Sequence, residues 1–192
     1  TASDAVNALD ELYGVQLFDL AARTRPKAMY FSEIMSYIQL TGVIFPYISE
    51  PNINVHQPAY GISSTMCHEL SHICGFMRED EANFISYLAC YHSGNIELQY
   101  SGAMMGLIHA TNRLNRYDPN AWQEICSLLP EGVLRDISAN SRYWKKYETP
   151  VGEAADRWND AYLKANAQTD GVQSYGRMVD LLIAFYRSQN AL

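Results

Sequence analysis

Between residues 67 and 84 the chain reads CHELSHICGFMREDEANF, and this stretch limits the fold more than any other. On an α-helix, residues four apart sit one turn apart on one face. His68 and His72 can therefore aim two imidazoles at one point, with Glu69 beside the first. The acidic run that follows starts at Glu79. Along an unbroken helix, eleven steps of about 100° would return Glu79 to nearly the face of His68, but roughly 16 Å further along the axis. Gly75 offers the way out, because glycine commonly ends a helix at the C′ position. A sharp reversal there folds residues 77–79 back toward the imidazoles. The stretch thus predicts a helix capped by Ser64 or Thr65, a turn at Gly75, and a second helix over 77–91.

His-Glu-x-x-His on a helix is how zinc hydrolases hold the metal on two imidazoles and use the glutamate as general base. A hydrolytic zinc takes three protein ligands and keeps one position open. Metzincins, HExxHxxGxxH, place the third ligand three residues past the glycine. Here that residue is Arg78, which cannot ligate. Glu79 follows and shares a helix face with Asn83, so we expect His68, His72 and Glu79 as metal ligands. The Asn83 amide would hydrogen-bond one of them from behind. Glu81, on the face of Ile85 and Leu88, is the alternative third ligand. Asp80 reads as part of a solvated helix start, and Arg78 as one half of a surface ion pair.

The rest of the sequence supplies a mainly helical frame. Apolar residues recur at helical spacing over 4–22, 31–38, 100–116, 121–129, 131–147, 151–166 and 173–189. The 100–116 segment and the last helix read as core. The segment 41–61, TGVIFPYISEPNINVHQPAYG, is rich in β-branched and aromatic residues and in proline. It predicts two short strands about a turn at 49–52. An edge strand around Ile53, Asn54 and Val55 could receive an extended peptide. The class is α+β, mainly helical, in a single domain over 1–192. Its parts are N-terminal helices (1–40), a β segment (41–61), metal-site helices (62–91) and a helical C-terminal part (92–192).

Composition removes some functions. The net charge of −7 argues against nucleic acid, whose phosphates are held by clustered Lys and Arg. No apolar run approaches the ~20 residues of a membrane helix, and the opening TASDAV has no signal-peptide pattern. Four cysteines without a CxxC pair exclude a thiolate zinc knuckle and read as reduced thiols.

HELSH followed by EDEAN resembles the gluzincin pattern of HExxH and a later Glu-x-x-x-Asn, shared by thermolysin-like proteases and phage-repressor-cleaving zincins. TGVIFPYISEPNIN, HELSHICGFMREDEANFISYLAC, YSGAMMGLIHATNRL and DGVQSYGRMVDLLIAFYR together resemble a bacterial domain-of-unknown-function family of membrane-anchored zincins. The resemblance covers nearly the whole chain. It implies a zincin-like fold that binds Zn2+ through His68, His72 and Glu79, with Glu69 as base and Asn83 behind a ligand. It also implies an extracytoplasmic domain held by an N-terminal membrane anchor outside these 192 residues.

A gluzincin needs a donor for the tetrahedral oxyanion. His109, Tyr175 and Tyr100 are the candidates, while His56 and His92 read as loop residues without a role. The function expected is zinc-dependent hydrolysis of a peptide or protein substrate. The alternative is a zincin-fold binding or scaffolding domain without proteolytic activity.

Overall fold

Pro58 sets the start of the helix that carries the two imidazoles. Its ring holds φ at −52°, and the helix begins at Ala59, well before Ser64 or Thr65 could cap it. Both hydroxyls lie inside the helix and donate to the Gly61 carbonyl, the local bond these side chains make when they do not cap. The expected caps are thus corrected.

The computed structural model describes residues 1–13, 24–45, 47–150 and 177–190, with residues 152, 154, 157 and 161. Among them the order is α1 (Ala2–Tyr13), β1 (Lys27–Ala28), α2 (Ser32–Tyr37), β2 (Gly42–Phe45), β3 (Glu50–Ile53), α3 (Ala59–Ile73), α4 (Glu79–His92), α5 (Ile96–Tyr117), α6 (Pro119–Leu128), α7 (Glu131–Lys146) and α8 (Arg177–Asn190). The class is α+β and mainly helical. Most of the expected 151–166 helix, and residues 14–22 of the first, lie outside the described residues. No described helix is long and apolar enough to cross a membrane.

The sheet has three strands in the order β1-β3-β2. β1 runs parallel to β3, with Lys27 opposite Asn52. β2 runs antiparallel to β3, with Gly42 opposite Ile53 and Phe45 opposite Glu50. The reversal falls before the expected 49–52 turn, with Ser49 at φ +48°, so Pro51 and Asn52 lie within β3. Ile53 does not lie on an edge. β1, which follows Pro26, pairs on the far flank of β3 and makes it the central strand. The edge on the other side is β2. There the Asn54 amide donates to the Thr41 carbonyl at 2.9 Å, so Gly42 and Ile53 form a non-hydrogen-bonded pair. The Gly42 amide and carbonyl consequently point away from β3.

α1, α3, α4 and α5 share one core. Ala5, Ala8 and Leu9 meet Cys67 and Leu70 of α3, Ala89 and Cys90 of α4, and Leu98 of α5. Three buried serines fix the register of the last three helices. The Ser64 amide donates to Ser101 Oγ at 2.8 Å, and Ser86 Oγ donates to the Ser64 carbonyl at 2.7 Å. Cys67 and Cys90 are free thiols whose sulfurs lie 3.7 Å apart. α8 is not apolar all round: Met178, Val179 and Leu182 are buried, whereas Ile183 and Tyr186 are exposed. It covers the core with one face. The second half of α5 is likewise only partly buried.

Candidate metal centre

Gly75 makes the bend that the sequence demands. It sits at φ +97°, a region open to glycine at little steric cost. The Phe76 amide donates to the Ser71 carbonyl at 3.1 Å and the Gly75 amide to the His72 carbonyl at 3.0 Å. This double bond pattern is a Schellman cap. Arg78 then starts α4 in extended conformation and donates to both carboxylate oxygens of Asp80, at 3.2 and 3.0 Å. Asp80 is therefore buried and paired rather than solvated. Glu81 faces Arg78 as well, at 3.5 Å, and is nearly half exposed.

The reversal brings Glu79 to the imidazoles. Nε2 of His68 and Nε2 of His72 stand 3.1 Å apart. The Glu79 carboxylate lies 3.4 Å from the first and 3.5 Å from the second. Donors placed 2.0–2.1 Å from a tetrahedral zinc are about 3.3 Å apart, so the three match the edges of such a coordination shell. They form the one group of three or more metal-ligating side chains among the described residues. The histidines are 14% exposed and Glu79 19%, which leaves the cluster reachable from solvent.

The donor set of the cluster could hold a cation. The Phe76 carbonyl lies 2.7 Å from His72 Nδ1; a carbonyl only accepts, so Nδ1 carries the hydrogen and Nε2 presents its lone pair. On His68, Nδ1 has no partner, and neither does Nδ2 of Asn83. Asn83 acts to raise the pKa of His68, the effect of an accepting amide oxygen rather than of a donating NH2. His68 Nε2 faces the same point, 3.4 Å from the Glu79 carboxylate. Two imidazole nitrogens and a carboxylate converging within 3.5 Å call for a shared positive charge, a proton on an imidazole or a cation. Asn83→Ala is expected to weaken zinc binding about 10- to 100-fold, read by competition with a chromophoric chelator. An unchanged affinity would show that Asn83 does not orient His68.

The titration shifts follow from the same contacts. Burial would raise the Glu79 carboxyl, but the two imidazoles, through hydrogen bonds and charge, hold it well below the usual carboxylate range. Burial alone would lower His68; Glu79 overrides this, with help from Glu69 and Asn83, and raises it. Glu69 is pushed up, chiefly by burial, against the pull of the imidazoles. Its carboxylate rests against β2 at Gly42, a neighbour for which the sequence carried no signal.

Of the remaining candidates, Tyr100 is engaged elsewhere. Tyr100 donates its hydroxyl to Asp136 at 2.5 Å. α4 and α5 run antiparallel, with Gly102 against Cys90 and Gly106 against Tyr87. His109 lies further along α5 and is half-buried. Tyr175 lies outside the described residues. His56 accepts a bond from, or donates one to, the Tyr143 hydroxyl at 3.0 Å, and His92 is the last residue of α4 rather than a loop residue.

Residues 1–183 match the family described as "Protein of unknown function (DUF3810)". The chain belongs to the DUF3810 family. The match spans the whole sheet, the bend at Gly75 and all three clustered donors. No curated protein and no solved structure matches the chain.

Proposed function

We propose that this DUF3810 chain is a zinc-dependent metallopeptidase with a zincin-like fold. The observation that carries the proposal is the spacing of His68 Nε2, His72 Nε2 and the Glu79 carboxylate, 3.1–3.5 Å apart. Zinc held there would supply Lewis-acid polarisation and a water acidified toward neutral pH. Glu69 accepts the proton of that water and returns it to the leaving amine. An extended peptide would pair with the outer edge of β2 through the Gly42 amide and carbonyl. His109 and Tyr175 are the proposed donors to the oxyanion. By the family resemblance we place the domain outside the cytoplasm on an N-terminal anchor.

The test is digestion of a peptide library with and without chelator. Hydrolysis is expected to stop when zinc is removed and to return when it is restored. Cleavage that ignores the chelator, or no cleavage by the zinc-loaded protein, overturns the proposal.

Zinc affinity is expected to depend on pH with a definite sign. Metal binding requires both imidazoles neutral, and the His68 pKa is raised. The proton therefore competes from above the ordinary histidine value of about 6.5. As the pH is lowered, affinity should start to fall before that value is reached and go on falling by about 10-fold per unit as the His68 proton competes. A profile that stays flat through this range would contradict the ligand set.

A further inference from the structure

We infer that Gly42 is a positioning residue for Glu69, an inference that rests on the peptidase reading. A Cβ placed on Gly42 would stand 2.4 Å from Oε1 of Glu69, 2.7 Å from its Cγ and 2.8 Å from its Cδ. Non-bonded carbon atoms sit comfortably at about 3.5–4.0 Å. The Glu69 side chain thus fills the space that any other residue at position 42 would occupy.

The conformation of the strand does not call for glycine here. Among the described residues Gly75 is the glycine with positive φ, and a Cβ there would meet nothing within 4 Å. Gly75 is needed for its backbone and Gly42 for its missing side chain. Strands ordinarily disfavour glycine, and in a strand interior it often marks a close approach. The strand cannot easily withdraw, because Gly42 is paired with Ile53 and Asn54 holds the Thr41 carbonyl. A side chain at position 42 would therefore move the carboxylate. Glu69 is 5% exposed, so it has little room to swing without losing its place beside the imidazoles.

A thermal cycle combined with kinetics on the zinc-loaded protein tests this. Gly42→Ala should lower Tm by roughly 3–8 °C, as overpacking does in a chain of this size. In Glu69→Ala, where the carboxylate is gone, the same change should cost nothing or raise Tm. On a peptide that the wild type cleaves, Gly42→Ala should reduce kcat roughly 100-fold, the usual penalty of an ångström of misplacement. The zinc content should not change. An equal loss of Tm in both backgrounds, or wild-type kcat in Gly42→Ala, overturns the inference. If the wild type cleaves no peptide, the peptidase reading fails, and the thermal cycle alone decides whether Gly42 holds the carboxylate.

Discussion

On the proposed mechanism, Glu69→Gln is expected to lower kcat for peptide hydrolysis by about 10²- to 10⁴-fold while any bound zinc stays in place. Glutamine has the shape of glutamate and fits the same slot against β2, but it cannot take a proton from water. The three donors of the cluster are His68, His72 and Glu79, so the substitution leaves the metal's own ligands in place. It also removes a buried carboxyl whose pKa burial has raised, and the fold should tolerate that. Kinetics on a fluorogenic peptide and zinc analysis of the same sample read both halves. Retained activity would eliminate Glu69 as base. Loss of zinc together with activity would show that Glu69 supports the metal instead.

Glu79→Ala is expected to weaken zinc binding by at least about 100-fold, whereas Glu81→Ala leaves it within about threefold. The two glutamates are two residues apart, yet their surroundings differ. Glu79 lies 3.4 Å from His68 and 3.5 Å from His72, and the imidazoles hold it ionised. Glu81 faces Arg78 across a largely solvated contact, worth little to stability. Removing Glu79 leaves two half-buried imidazoles without their charged partner; removing Glu81 frees part of a guanidinium already bonded to Asp80. Equal losses in the two variants would mean that the carboxylate is not a ligand.

Much of this site was legible from local rules. The His68–His72 spacing follows from helical periodicity, and the bend follows from an axial distance that a straight helix cannot bridge. Glu79 followed because Arg78, the residue one before it, cannot ligate. What stayed hidden depended on partners distant in sequence. Nothing in TRPKAM announces that Lys27 and Ala28 pair with β3, and this pairing moves the edge from Ile53 to β2. Ser64 and Thr65 resemble caps in isolation, but Pro58 starts the helix earlier. Asp80 reads as solvated until the Arg78 side chain folds over it. The Phe76 carbonyl that fixes the His72 tautomer is backbone, and backbone acceptors leave no mark in a sequence. Gly42 is the sharpest case, since its role exists only where β2 meets α3.

X-ray absorption at the zinc edge of the metal-loaded protein, with anomalous diffraction from its crystals, tests the central claim most directly. The account predicts one zinc per chain, bound by Nε2 of His68 and of His72 at about 2.0–2.1 Å and by a Glu79 oxygen at about 2.0–2.2 Å, with a fourth position free of protein ligands. Zinc bound elsewhere, a shell closed by a fourth side chain, or no zinc retained at neutral pH would contradict it.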